Sequence, residues 1–142
     1  MLTGGIFTMF DVSASALRAE RARMNVHANN LANIDSIKDA EGNYNPYRRK
    51  YVLFKEGSPE ITGSAKLGVR IDKIEDDYRS DLRLRYEPEH PFADERGYVA
   101  YPNVQVAQEM VDMMMAARAY EANLTSMETA KQINRGALRI IA

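Results

Sequence analysis

The side chains that offer the most specific chemistry in this 142-residue chain are carboxamides clustered near its N-terminus. Asn25, Asn29 and Asn33 follow one another at four-residue intervals, and Asn30 lies among them. On a helix this spacing places three amides in a row on one face. Amides both donate and accept hydrogen bonds, so such a row can fix the register of neighbouring helices. Asparagine is also a poor helix former, and the same cluster is compatible with an ordinary helix end.

A second polar group, around His90, contains the residue types that metal sites and acid–base catalysts use. The chain has one other histidine, His27, and no cysteine. The neighbouring carboxylates lack the apolar surroundings that raise a carboxyl pKa; they are Glu87, Glu89, Asp94 and Glu95. The sequence also lacks a Gly-rich phosphate loop and a nucleophile beside a base. We therefore expect a local structural role for His90, no metal or cofactor, and no enzymatic activity.

The strongest structural pattern follows Pro102. Apolar residues recur at alternating spacings of three and four, which is typical of a helix that packs along another helix. Asn103 suits a helix N-cap, so a helix is predicted over residues 103–142. Its stripe consists of Val106, Met110, Met113, Ala117, Tyr120, Leu124 and Met127. Beyond Met127 the apolar positions rotate to Ala130, Ile133, Ala137 and Ile140, which indicates a second contact face.

A second long helix is predicted from about residue 6 to residue 33, because four apolar residues there lie seven apart. The two long helices lie at opposite ends of one short chain, and each has a heptad stripe. The simplest arrangement is that they pack against each other as an antiparallel pair. We predict that the contacts within this pair come from Phe10, Leu17, Met24 and Leu31 on the first helix and from Met110, Met113, Tyr120, Leu124 and Met127 on the second.

The segment between the helices has a different character. Residues 47–54 and 82–86 are rich in β-forming residues, and Val69 and Ile71 indicate another short strand. The prolines and tyrosines of residues 86–102 predict an extended strap anchored on the helices. The predicted fold is therefore mainly α, with two long terminal helices packed as an antiparallel, coiled-coil-like pair and a small irregular β insertion between them. Residues 1–36 and 103–142 are predicted to form the N-terminal and C-terminal helices of a helical core domain. Residues 37–102 are predicted to form the β-rich insertion and the extended strap.

Charge and hydropathy exclude several classes of partner. The net charge of −1 provides no basic field for nucleic acid or anionic lipid. No apolar run approaches the roughly 18 residues of a membrane span, so the chain is not expected to cross a membrane. Its first residues also lack the basic and long apolar segments of a cleavable signal peptide. If the protein leaves the cytoplasm, we expect it to use another route.

Two stretches carry a family resemblance. Residues 15–17 (SAL), 23–26 (RMNV) and 28–33 (ANNLAN) resemble the N-terminal signature of the bacterial flagellar rod and hook axial proteins. That family usually continues with a residue pair ending in threonine, whereas this chain has Ile34-Asp35-Ser36, which keeps a hydroxyl. The residues from 86 to 104, and those from 108 to 123, resemble most closely the small proximal-rod members of the flagellar basal-body rod family.

The resemblance implies a structural subunit of the flagellar proximal rod. Such a subunit assembles helically with copies of itself and with other rod proteins, and transmits torque from motor to hook. The resemblance also implies export by the flagellar type III apparatus and a place in the basal body, in the rod that crosses the periplasm. This role requires no small-molecule substrate. Contacts between subunits are then expected at Asn25, Asn29, Asn30, Asn33, Ile133, Ile140 and Ile141.

The competing hypothesis is a cytosolic helical hairpin that dimerises and acts as a secretion chaperone or regulator. It would bury the same apolar stripes in a closed dimer. A sharp dimer peak with cooperative melting would favour it.

Overall fold

The computed structural model describes residues 2–57 and 67–141, and it has a long helix near each end of the chain. Helix α1 spans Leu2–Ala32 and helix α2 spans Val106–Ile141. Strands β1, β2, β3 and β4 between them span Lys50–Glu56, Val69–Asp76, Arg83–Tyr86 and Tyr98–Tyr101. The predicted mainly α fold, with a small β insertion between two terminal helices, is confirmed.

The two helices pack against each other and run antiparallel. His27, near the end of α1, contacts Glu109 in the first turn of α2. The buried apolar positions along the pair are mostly small: Ala19 is 4% exposed, Ala116 0% and Ala130 7%. Small side chains allow two helix backbones to approach closely, and bulkier residues then lie at the flanks of the contact. Neither helix, over its described residues, has an apolar stretch able to cross a membrane.

Helix α2 begins at Val106, three residues after the predicted N-cap. Asn103 has a different role, because its buried side chain hydrogen-bonds to loop segments that lie far from it in sequence. Its carboxamide oxygen accepts a hydrogen bond from the Arg49 N–H at 2.8 Å. Its amide group donates to the carbonyls of Asp77, at 3.0 Å, and Ser80, at 3.2 Å. The sequence pattern identified a good capping residue, but these tertiary contacts use it elsewhere.

The strands form two separate antiparallel sheets of two strands each. β1 pairs with β2, with a register shift between Leu53 and Phe54, and β3 pairs with β4. The second half of the predicted strap is therefore strand β4, in which Tyr101 is buried and Tyr98 is 40% exposed. Both sheets lie within the insertion, so the helix pair remains the main architectural element.

Gly97 occupies a turn before β4 that a larger residue would disturb. Its φ of +80° lies in the left-handed region, and a Cβ there would come within 2.9 Å of Tyr86 Cε2 and 3.1 Å of Pro88 Cβ. We expect Gly97→Ala to lower the free energy of unfolding by roughly 1–3 kcal/mol. Urea unfolding followed by circular dichroism measures this change.

The matched control for this substitution is Gly136→Ala. A Cβ at Gly136 meets nothing within 4 Å, and the residue lies inside helix α2. Alanine is the better helix former, so this variant should gain about 0.5–1 kcal/mol. Equal effects of the two substitutions would contradict the special conformation of Gly97.

Candidate functional site

A largely buried polar group joins α1, β1 and α2. We call it the Glu109 cluster (His27, Asn30, Arg49 and Glu109). The Glu109 side chain is fully buried, and His27 Nδ1 lies 2.6 Å from its Oε2. Asn30 donates to the same oxygen at 3.0 Å, while Arg49 Nε binds Oε1. A buried carboxylate is tolerated when it is paired and hydrogen-bonded in this way.

Asn30 connects this carboxylate to the edge of strand β1. Its carboxamide donates to the Lys50 carbonyl at 2.8 Å and accepts from the Lys50 N–H at 2.9 Å. The carboxamide oxygen also accepts from the Tyr47 hydroxyl at 3.0 Å. The amide therefore pairs with β1 as a neighbouring strand would, and it holds the β1–β2 hairpin on α1.

The local structure explains why these residues meet. His27 and Asn30 lie three positions apart on α1, so both face the same side of the helix. Glu109 lies in the first turn of α2, where the helix dipole favours a negative charge. Arg49, immediately before β1, also reaches Asp112 at 3.5 Å. The cluster thus fixes the relative positions of the three elements.

Titration in this region follows from burial and hydrogen bonding. Burial raises the pKa of Asp77, but hydrogen bonds from Ser80 and from backbone N–H groups, together with the charge of Arg49, outweigh it and lower the pKa overall. The pKa of the Tyr47 hydroxyl is raised, mainly by burial and then by the nearby charges of Asp76 and Glu109.

An open polar cleft of about 400 Å³ lies beside the Glu109 cluster, with Asp77, Arg83 and Asn103 in its lining. These polar groups are already engaged within the chain. Asn103 is hydrogen-bonded to two loops, and Arg83 donates to the carbonyls of Pro102 and Ile34. Their arrangement stabilises the loops. Within the described residues, no group of three or more His, Asp or Glu side chains is placed to hold a metal ion.

The predicted pairing residues lie along the flanks of the helix contact. Met110 is 50% exposed and Leu124 40% exposed, and the other seven are half-buried: Phe10, Leu17, Met24, Leu31, Met113, Tyr120 and Met127. The fully buried face of α2 is rotated from the predicted stripe and contains Glu109, Ala116 and Ala130. Small residues at the centre of the contact explain this rotation.

The predicted intersubunit residues fall into different environments. Asn25 and Asn29 are exposed, and Ile133 is 67% exposed. Asn33 is half-buried and donates to the Asn29 carbonyl at 2.8 Å. Asn30 is fully buried and all its described bonds lie within the chain. The side chains of Ile140 and Ile141 lie outside the described residues.

His90 makes local contacts. Its Nδ1 accepts a hydrogen bond from the Phe92 N–H at 3.2 Å, and the two rings are 5.7 Å apart. The sequence interpretation missed Glu109 and Arg49, which are ordinary surface residue types. Glu109 could have been found from its spacing, because it lies seven residues before Ala116 and fourteen before Asn123 on one helix face.

The outward side of α2 is the other unusual feature. Five large apolar side chains in its first ten residues are about half exposed, at 47–58%: Val106, Met110, Val111, Met114 and Met115. We call this surface the α2 apolar patch. Methionine side chains adapt readily to different neighbours, and a contiguous exposed apolar surface of this kind marks an interaction site.

Two adjacent asparagines on α1 provide a direct comparison of the buried and exposed sites. Asn30→Ala removes four hydrogen bonds and leaves the Lys50 backbone groups and Glu109 partly unpaired. We expect it to lower the free energy of unfolding by roughly 2–4 kcal/mol. Asn29 is exposed, so Asn29→Ala should change it by at most about 0.5 kcal/mol. Chemical denaturation of both variants tests this difference, and similar values would contradict the proposed role of Asn30.

A helix pair held together by a buried polar cluster, with an apolar surface left exposed, is typical of a structural protein that assembles with other subunits. The family comparisons agree. Residues 10–36 match the family model "Flagella basal body rod protein", and residues 95–140 match "Flagellar basal body rod FlgEFG protein C-terminal".

Whole-chain relatives agree with these family models. The chain is 38% identical to "Flagellar basal-body rod protein FlgC" of Borreliella burgdorferi, over 96% of this chain and 98% of the relative. It is 41% identical to the protein of that name in Bacillus subtilis, over 94% and 97%, and in Escherichia coli O157:H7, over 90% and 92%. The chain therefore belongs to the flagellar basal-body rod protein family, whose members are structural and non-enzymatic.

Proposed function

We propose that the chain assembles helically, with copies of itself and with other rod proteins, into the proximal rod and transmits torque from the motor to the hook. We also propose that it reaches the rod, across the periplasm, by the flagellar type III export apparatus. The family membership and the resemblance of residues 86–104 and 108–123 support this assignment. The terminal helices serve as the assembly domain, with the β insertion, residues 37–102, held between them.

The single observation that carries this proposal is the α2 apolar patch. Met114 is 54% exposed and Met115 58% exposed on a helix whose opposite face is already buried against α1. A rod subunit covers such a surface with its neighbours, because burial of apolar area drives association. Contacts between different surfaces of successive copies then build an open helical assembly.

Asn25, Asn29 and Asn33 are our proposed polar contacts between subunits, and Ile133, Ile140 and Ile141 are the proposed apolar ones. The exposure of Asn25, Asn29 and Ile133 supports this role. The half-buried pairing residues, such as Leu17 and Met127, are proposed to keep the two helices together along one flank. Asn30 is not among these contacts, because its carboxamide makes all four of its hydrogen bonds inside the chain.

Mass spectrometry of purified basal bodies, beside a deletion strain, tests the function. We expect the chain in the rod fraction and no hook or filament in the deletion strain. If the chain instead stays in the cytoplasm as a closed dimer, the chaperone or regulator hypothesis replaces the rod assignment.

A further inference from the structure

The outer edge of strand β4 is protected by side chains. In an antiparallel pair, successive residues alternate between those bonded to the partner strand and those whose backbone groups point outward. On β4 the outward residues are Tyr98 and Ala100, opposite Tyr86 and Leu84. The Asp94 carboxylate accepts from the Tyr98 N–H at 2.8 Å, and the Asp94 backbone N–H donates to the Tyr98 carbonyl at 2.8 Å. The Tyr44 hydroxyl accepts from the Ala100 N–H at 3.0 Å and donates to its carbonyl at 3.1 Å.

Strand β1 is capped in the same way at its first residue, where the Asn30 carboxamide binds the Lys50 backbone. The outer edges of β3 and β2 differ. Their outward residues are Leu84 and Tyr86 on β3, and Ile74 and Asp76 on β2, and within the described residues no side chain caps their backbone groups. Leu84 is 68% exposed, Tyr86 63% and Ile74 50%. The beginning of β2 is capped as well, because the Ser15 hydroxyl accepts a hydrogen bond from the Val69 N–H at 3.1 Å. The open stretches considered as a docking surface are therefore the outer edge of β3 and the second half of β2.

We propose that the open edge of β3 in one subunit pairs with the open edge of β2 in a second copy of this chain. The added pair is antiparallel, with Tyr86 opposite Ile74 of the second copy and Leu84 opposite Asp76 of the second copy. Strand addition of this kind uses backbone hydrogen bonds for affinity and side chains for register. The inference rests on the proposed function, since it names a surface by which rod subunits join.

Charge complementarity supports this contact and this register. On β3, Arg85 is followed two residues later by Glu87, and their side chains lie 3.3 Å apart. On β2, Lys73 and Glu75 form an ion pair with the same order of charges along the chain, positive before negative. In the proposed antiparallel register Arg85 faces Glu75 and Glu87 faces Lys73, so the four charges alternate in sign.

The neighbouring register, shifted by two residues, is disfavoured. It would place Arg85 opposite Lys73 of the second copy, and like charges directly opposite each other destabilise a strand pair. A β3–β3 contact with Leu84 opposite Tyr86 of the second copy would also place arginine opposite arginine. The contact we propose joins two different edges, so each copy offers one of each, and repetition leads to an open assembly.

Charge reversal tests the pairing in cells that lack the chromosomal copy. We expect Arg85→Glu alone, and Glu75→Arg alone, to lower the yield of hook–basal bodies by at least about tenfold. The double variant Arg85→Glu/Glu75→Arg restores opposite charges and should return the yield to within about twofold of the wild type. Any damage to the ion pair within one strand would persist in the double variant. Normal yields from both single variants, or an equally low yield from the double variant, would overturn the proposal.

Disulfide formation tests the contact directly, because the chain has no cysteine of its own. Residues 85 and 75 form a non-hydrogen-bonded pair in the proposed register, whose short Cα separation suits a disulfide. A mixture of purified Arg85→Cys and Glu75→Cys proteins should give a crosslinked heterodimer on mild oxidation. Lys55→Cys, an exposed site on β1, replaces Glu75→Cys as the control and should give none. A dominant Arg85→Cys homodimer, or no crosslink, counts against the β3–β2 contact.

The two tests separate this inference from the rod assignment. If the wild-type chain is found in the rod but the single charge reversals behave like it, the strand contact is wrong and the rod assignment stands. If the wild-type chain is absent from basal bodies while the cysteine mixture still crosslinks in solution, the rod assignment is wrong and the strand contact stands.

Discussion

Replacing Glu109 by alanine should destabilise this protein more than any other single substitution considered above. The change leaves His27 and Arg49 beside a cavity without their shared carboxylate, and removes one acceptor of Asn30. Removing one partner of a buried ion pair costs roughly 3–5 kcal/mol. Here His27 and Asn30 stay buried without the carboxylate, while Arg49 keeps Asp112 as a partner at 3.5 Å. A chain of this size has a total stability of about 5–15 kcal/mol, so the variant should be substantially unfolded in mild urea.

Urea unfolding followed by circular dichroism provides the measurement, with Glu128→Ala as the matched control. Glu128 is exposed on the same helix, and alanine is a good helix former, so the control should stay within about 0.5 kcal/mol of the wild type. If Glu109→Ala is no more destabilising than Glu128→Ala, then the Glu109 cluster does not hold the helices and β1 together.

The second large effect is expected on assembly, with little effect on folding. Met114 and Met115 are about half exposed in the α2 apolar patch, so the double variant Met114→Glu/Met115→Glu removes few contacts within the chain. Its free energy of unfolding should remain within about 1 kcal/mol of the wild type. Two carboxylates buried at a subunit interface without partners are costly, so the yield of hook–basal bodies should fall by at least about tenfold.

The control Ser126→Glu/Gln132→Glu adds the same two charges at exposed polar positions of α2. Electron microscopy of basal bodies and swimming assays should show near-normal rods and motility for this variant. Comparable defects in both double variants would mean that the loss of basal bodies comes from the two added negative charges and not from their position. Normal motility of the methionine variant would show that the α2 apolar patch is not part of the assembly surface.

Sequence periodicity predicted the helices more accurately than their contact faces. A heptad repeat depends on local spacing, which survives any tertiary arrangement, and so both long helices were predicted. Which part of the stripe is buried depends on how closely the helices approach. Alanines at 19, 116 and 130 permit a close contact, and Met110 and Leu124 then lie outside it.

The asparagine cluster shows the same limit at the level of single residues. Its unusual composition singled out residues 25–33, but spacing could not distinguish exposed Asn29 from buried Asn30. The partners of Asn30 are Lys50, Tyr47 and Glu109, and its contact with Glu109 spans 79 positions of sequence. Contacts of that separation are set by the packing of α1 against β1 and α2, which no local pattern encodes.

The amino-acid sequence by itself determined the two terminal helices, the short strands between them, the absence of recognisable catalytic motifs and the resemblance to rod proteins. These features follow from local periodicity, turn residues and motif similarity. The tertiary structure alone decided which helix faces are buried, that Glu109 is the centre of a buried cluster, and which sheet edges are capped. Those properties arise when side chains distant in sequence meet in space, because burial and hydrogen bonding depend on the completed packing.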